Sequence, residues 1–85
     1  MEPAMELNQT IDMMNSEDYK ERFKAEYYQL KIRVRELSFM VADWDAGELE
    51  FTPTCPRSTY DLQLKAMRDY MAILEARAVM EGIEL

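Results

Sequence analysis

Two apolar stripes with heptad spacing constrain the fold of this chain more than any other feature of its sequence. The first, after two opening steps of four, alternates three and four along Tyr19, Phe23, Tyr27, Leu30, Val34, Leu37, Val41 and Trp44. The second has similar spacing, at Tyr60, Leu64, Met67, Met71, Leu74 and Ala78. Each set therefore lies on one side of an α-helix. The two stripes predict an all-α fold, an antiparallel two-helix hairpin over about residues 17–45 and 56–81.

The chain is predicted to divide into an N-terminal extension, residues 1–16, and a helical hairpin domain, residues 17–85. The apolar residues of the extension suit either a short amphipathic helix or a frayed tail. Asn15 or Ser16 is expected to cap the first long helix, and Gly47 to take the left-handed conformation just past its end.

The start of the second helix has two alternatives. Thr54 caps it with Pro56 in the first turn, which we favour, or Ser58 caps it with Asp61 three residues later. The end is marked more clearly, because Gly82 followed by an apolar residue predicts a glycine C-cap.

The chain has more large apolar side chains than one helix-helix seam can bury. Those off the two stripes form a predicted second apolar face, with Tyr28, Ile32, Phe39, Met40, Tyr70, Ile73, Val79 and Met80. A contiguous exposed surface of this kind promotes association. A chain of 85 residues with one cysteine and no histidine also lacks an internal disulfide and the common zinc ligands. We therefore expect the hairpins to pack as a homo-oligomer.

Charge and composition argue against several classes of function. The formal net charge of −7 opposes binding to long nucleic acids. The apolar runs are too short for a membrane span or a signal peptide, so we expect a cytoplasmic protein that does not bind membranes. Without histidine, a paired catalytic cysteine or a glycine-rich loop, we expect neither enzymatic activity nor a cofactor or metal.

The connection between the helices concentrates groups that suit a small anion. The hydroxyls of Thr52 and Thr54, the guanidinium of Arg57 and the free N–H groups of the second helix together form a candidate phosphate site. The alternative is structural: the threonines are turn and cap residues, and Arg57 pairs with Asp61 one turn later.

Three residues of the second helix extend this candidate ligand site. Lys65 and Arg68 are cations that can meet further phosphates, and Tyr60 can stack on a nucleobase. Rings at helical spacing are more often packing residues, which is the alternative for Tyr60.

Several segments of residues 17–85 carry a resemblance to a known family. They are residues 19–23, 26–27, 29–31, 51–56, 63–67, 70, 73–78 and 81–85. On these segments the chain resembles a crAss-phage-related family of short helical-hairpin proteins from gut bacteriophages and prophages. The loop and the closing segment are the specific parts of this resemblance.

That family is similar in architecture to the hairpin proteins that phages use as sponges against the bacterial CBASS and Thoeris systems. The resemblance implies a phage or prophage immune-evasion protein that sequesters a nucleotide second messenger, a cyclic oligonucleotide or an ADP-ribose derivative, without catalysis. It transfers no site residues. A function of another class is the alternative: an acidic, anti-CRISPR-like inhibitor or adaptor that covers a host protein.

Overall fold

The computed structural model describes residues 5–85 and contains helices and no strands within that range. A 3₁₀ turn, Leu7–Thr10, leads into a short helix, α1, at Ile11–Met14. Two long helices follow, α2 at Tyr19–Asp45 and α3 at Arg57–Glu81. The predicted all-α class is confirmed, and both long helices begin slightly later than the sequence suggested.

The helices α2 and α3 run antiparallel. At one end the hydroxyl of Tyr19 donates a hydrogen bond of 2.7 Å to Glu81. At the other end Arg57 binds Asp45. The start of α2 thus contacts the end of α3, and the end of α2 contacts the start of α3, which requires the two helices to run in opposite directions.

The two heptad stripes form the seam between α2 and α3. Burial is deepest at the end that carries the C-terminus, where one cluster contains Phe23, Tyr27, Leu74, Ala78 and Ile83. Leu74 is completely buried. Apolar burial of this kind is the main stabilising contribution to a small helical domain.

The N-terminal segment packs against a different side of α2. Ala25, Gln29 and Ile32 share that side, roughly opposite the heptad stripe. The amide of Gln29 donates a hydrogen bond of 2.9 Å to the hydroxyl of Thr10, which is buried. Ile32 is only 3% exposed, so its predicted place on the second apolar face is wrong. The extension covers it by folding back on α2.

Both long helices end at the glycines that the sequence indicates. Gly47 and Gly82 have φ of 74° and 68°, in the left-handed region. Beyond α3, the N–H of Ile83 donates to the carbonyl of Ala78 and the N–H of Gly82 to that of Val79. This pair of hydrogen bonds is the Schellman motif, so the predicted glycine C-cap is confirmed.

The start of α2 differs from the prediction. Asp18 is its N-cap, and its carboxylate accepts a hydrogen bond of 2.9 Å from the N–H of Lys20. Ser16 instead accepts from the N–H of Asp18, which closes a turn just before the helix. Asn15 and Ser16 are therefore too early in the chain to cap α2.

The start of α3 also differs, because it has no side-chain cap. Pro56 precedes the helix with ψ of 149°, an extended backbone conformation. Thr54 is thus separated from Arg57, the first helical residue, by non-helical chain, and Ser58 already lies within the helix. Both predicted caps are wrong; proline stands at the boundary because it has no N–H to satisfy.

Candidate functional site

Arg57 is held between two carboxylates at the start of α3. Its Nε and Nη2 donate to Oδ1 and Oδ2 of Asp45, both at 3.0 Å, and its Nη1 donates to Asp61 at 2.7 Å. The hydrogen bond from Arg57 lowers the pKa of the Asp45 carboxyl. Because these contacts use all three guanidinium nitrogens, an anion that binds Arg57 must compete with both carboxylates.

Tyr60 packs next to this ion pair. Its ring meets that of Trp44 edge to face, with the centroids 5.7 Å apart. The guanidinium of Arg57 lies 5.9 Å from the centroid of the Trp44 ring. The three side chains form one cluster at the loop end of the hairpin, in which Trp44 links the other two.

The remaining residues of the site predicted from the sequence have other surroundings. Thr52 and Thr54 are exposed in the connection between the helices. Lys65 binds Asp69 on its own helix at 2.8 Å. Arg68 donates a hydrogen bond of 3.3 Å to Ser38 on α2. A ligand-binding role for these residues stays a prediction.

A cavity of about 250 Å³ beside the connection is acidic. Its lining consists of Asp43, Glu48, Leu49, Glu50 and Phe51. Three carboxylates around one small cavity repel a phosphate group. In the described part of the chain, no group of three or more carboxylate or cysteine side chains is placed to hold a metal ion.

A larger cavity of about 300 Å³ lies between α2 and α3. We call it the Arg33 groove and define it by its lining residues, Arg33, Glu36, Leu37, Met40, Gln63 and Met67. Leu37 and Met67 belong to the two heptad stripes and form its apolar base. Its volume is at the lower end of the range for small-molecule pockets, about 300–1,000 Å³.

Arg33 is the cation of this groove. Within residues 5–85 it makes no ion pair, whereas Arg57 and Arg77 are both bound to carboxylates. Such a guanidinium is available to bind a phosphate through two parallel hydrogen bonds. Gln63 adds an amide, and Glu36 adds a carboxylate that can accept hydrogen bonds from hydroxyl groups.

Sequence reasoning missed this groove, because its residues come from two helices that are distant along the chain. One signal was present: Arg33, Leu37 and Met40 are spaced by four and three, which places them on one side of α2. Gln63 and Met67 are spaced by four on α3. Only the antiparallel register of the helices brings the two sets together.

At the end of the hairpin opposite the connection, the polar side chains contact one another across α2 and α3. Arg77 donates to Glu81 at 3.1 Å and to the hydroxyl of Tyr19 at 3.0 Å, and its guanidinium lies 5.0 Å from the ring centroid of Phe23. These contacts tie the start of α2 to the end of α3. None of the helices in residues 5–85 combines the length and apolarity needed to cross a membrane.

The comparison with protein families gives one match. The model of the Sequestin family matches residues 17–80. This range contains α2, the connection, both heptad stripes and the whole Arg33 groove. No curated protein and no solved structure matches the chain. Because the family model covers well over half of the sequence, this chain belongs to the Sequestin family.

Proposed function

We propose that this chain binds and sequesters a nucleotide-derived signalling molecule, a cyclic oligonucleotide or an ADP-ribose derivative, without converting it. Membership of the Sequestin family supports sequestration, which the family name indicates. The observation that carries the choice of ligand is the Arg33 groove, in which an arginine that has no ion pair among residues 5–85 lies beside an apolar base.

The groove matches the parts of a nucleotide. A phosphate would bind the guanidinium of Arg33, and a base would lie on Leu37 and Met67. The amide of Gln63 would pair with the edge of the base, and Glu36 would accept a hydrogen bond from a ribose hydroxyl. The groove therefore provides a phosphate contact, an apolar surface and hydrogen-bonding groups in one place.

The loop cluster around Arg57 is a less suitable site than the groove. A phosphate there would have to displace Asp45 or Asp61, and the neighbouring cavity is lined by three further carboxylates. Thr52, Thr54 and Tyr60 would contribute only to a ligand bound at this second place. Lys65 and Arg68, with their partners Asp69 and Ser38, lie two to three turns further along α3.

Sequestration requires high affinity for the ligand and no catalysis. The protein must hold its ligand below the concentration at which a sensor responds, which requires nanomolar affinity, or roughly −12 kcal/mol. We place this activity in the cytoplasm of a bacterium infected by a phage or carrying a prophage, where such signals are made.

Native mass spectrometry of the full chain, mixed with a panel of cyclic di- and trinucleotides and ADP-ribose derivatives, tests the proposal. The expected result is a retained nucleotide that leaves with its mass unchanged when the protein is denatured. Adenosine monophosphate serves as a control for non-specific binding of a phosphate. Retention of none of the panel, or release of a cleaved product, would overturn the proposal.

A protein-binding inhibitor or adaptor is the second candidate function. It is favoured by the net charge of −7 and by exposed apolar side chains on both long helices, including Phe39 and Val79, which are 64% and 82% exposed. Affinity purification of a tagged chain from infected bacteria distinguishes the two candidates, because an adaptor brings down a host protein in stoichiometric amount and a sponge does not.

A further inference from the structure

The outward side of α3 carries a second stripe with heptad spacing. Steps of four, three, four, three and four connect Leu62, Ala66, Asp69, Ile73, Ala76 and Met80, which we call the outer α3 stripe. All six residues are exposed. They lie on the side of α3 opposite the stripe that packs against α2. Heptad spacing is the pattern by which one helix packs along another.

The two long helices differ in how much of their surface is covered. The helix α2 packs against α3 on one side and against the N-terminal segment on another. On α3, the inner Leu64 is 5% exposed, whereas the outer Leu62, Ile73 and Met80 are 70%, 58% and 75% exposed. Large apolar side chains exposed at intervals along one side of a helix, with small residues between them, suit packing against another helix.

The hairpin is elongated, 43 × 26 × 23 Å, and leaves more surface available to a partner than a compact monomer of its mass does. The chain exposes 6211 Å², whereas a compact monomer of 10.1 kDa is expected to expose about 5,300 Å². The excess is close to the roughly 800 Å² that each partner buries in a standard protein interface. The radius of gyration, 15.2 Å, likewise exceeds the value of about 12 Å for a compact domain of this length.

We propose that the outer α3 stripe binds the same stripe of a second copy of this chain, so that two α3 helices pack antiparallel in a homodimer. A heptad stripe along a whole helix fits another helix with the same repeat, and a second copy supplies one. In this alignment Leu62 lies opposite Met80 of the partner subunit, and Ala66 lies opposite Ala76 of the partner subunit. The small alanine pairs let the helices approach closely.

Asp69 determines the direction of the pairing. In a parallel pair it would face Asp69 of the partner subunit, and two like charges would lie in an apolar seam. In the antiparallel pair it lies beside Ile73 of the partner subunit. Its carboxylate already has a cationic partner, Lys65, at 2.8 Å on the same helix.

Sedimentation equilibrium of the full chain tests the interface. We expect the wild-type protein at micromolar concentrations to have twice the monomer mass of 10.1 kDa, and Ile73→Glu to have the monomer mass. Phe39→Glu is the matched control, because Phe39 is 64% exposed but lies on α2; this variant should stay dimeric. Circular dichroism checks that both variants keep their helices. A monomeric wild type, or a dimer that survives Ile73→Glu, would overturn the proposal.

Cysteine crosslinking tests the direction of the helices. The single native thiol is first removed with Cys55→Ser, and Ala66→Cys and Ala76→Cys are made separately. An antiparallel pair forms a disulfide between subunits only when the two variants are mixed, because only then do the two thiols face each other. Disulfide formation by either variant alone would overturn the antiparallel arrangement.

The outer α3 stripe is separate from the proposed ligand site. The Arg33 groove lies between α2 and α3, away from this stripe. Sedimentation therefore answers the question of the interface whatever the outcome of the nucleotide panel.

Discussion

Arg57, the first residue of α3, binds both carboxylate oxygens of Asp45, the last residue of α2, at 3.0 Å. The pair fastens the two helices at the ends that flank the connection. Tyr19 and Glu81 make the equivalent contact at the opposite ends, at 2.7 Å. The register of the hairpin is thus held by a polar contact at each end and by the apolar seam between them.

The contribution of Asp45 to stability is expected to depend on pH. Its pKa is lowered in the folded protein by the hydrogen bond from Arg57. A carboxyl with a lowered folded pKa stabilises the protein above its unfolded pKa, about 3.9, and this contribution is lost as the pH falls through the folded value. Asp45→Asn should therefore lower the thermal midpoint at pH 7 and have a smaller effect near pH 2.

Thermal unfolding followed by circular dichroism at both pH values measures this difference. Glu50→Gln is the control, because Glu50 is exposed and makes no ion pair within residues 5–85. Its effect should be small at both pH values. An effect of Asp45→Asn that is equal at pH 7 and pH 2 would contradict the assigned role.

Leu74→Ala is expected to destabilise the protein strongly. Leu74 is completely buried and belongs to the cluster with Phe23 and Tyr27. Removing a large buried side chain costs about 2–5 kcal/mol of unfolding free energy, because apolar contacts are lost and a cavity remains. Val79→Ala, at a position on the same helix that is 82% exposed, should change it by less than about 0.5 kcal/mol. Urea denaturation at one protein concentration measures the unfolding free energy of both variants. A similar loss in Leu74→Ala and Val79→Ala would contradict the central place of Leu74 in the core.

Gly82→Ala is expected to cost about 1–2 kcal/mol, because its φ of 68° is unfavourable for residues with a Cβ atom. A Cβ added there would meet no atom within 4 Å, so the loss would come from the backbone alone. Gly82→Asn should cost less, since asparagine tolerates the left-handed conformation better. Urea denaturation of both variants checks this order, and equal losses would argue against a backbone cause.

Tyr27 is expected to ionise only at high pH in the folded protein. Burial, together with its 2.8 Å hydrogen bond to Glu75, raises the pKa of Tyr27 to about 12. In the unfolded chain the pKa is about 10, so the neutral phenol stabilises the fold below pH 10, and this contribution is lost as the pH rises towards 12. Alkaline titration followed by ultraviolet absorbance should show a transition near pH 12 that Tyr27→Phe removes. Persistence of that transition in the variant would assign it to another tyrosine.

Features determined by local sequence were the ones that could be predicted. The heptad spacing placed Leu64 and Leu74 in the seam, and Gly82 marked the end of α3, because each depends on residues within one or two turns. The predicted N-caps of α2 and α3 were wrong although caps are also local. The extended conformation of Pro56 separates Thr54 from the helix, and the sequence had left the choice between two caps open.

Features that depend on long-range contacts could not be predicted. Ile32 is buried only because the N-terminal segment folds back over α2. The pairing of Arg57 with Asp61, which was the structural alternative for this residue, is present, but its bidentate contact with Asp45 requires the antiparallel register. The Arg33 groove requires the same register, since Gln63 comes from the other helix.

The two arginines offer a direct comparison of the two candidate ligand sites. Arg33→Gln is expected to weaken binding of the nucleotide retained from the panel by about 10- to 100-fold, which is the effect of losing a charge-assisted hydrogen bond. Arg57→Gln should leave the affinity nearly unchanged and lower the thermal midpoint, because Arg57 binds Asp45 and Asp61. Lys31→Gln is the matched control, because it changes the net charge by the same amount. Lys31 lies on another side of α2, where its ammonium is 6.0 Å from the ring centroid of Tyr27. Isothermal titration calorimetry measures all three affinities; a loss confined to Arg57→Gln would place the ligand at the loop, with Thr52, Thr54 and Tyr60.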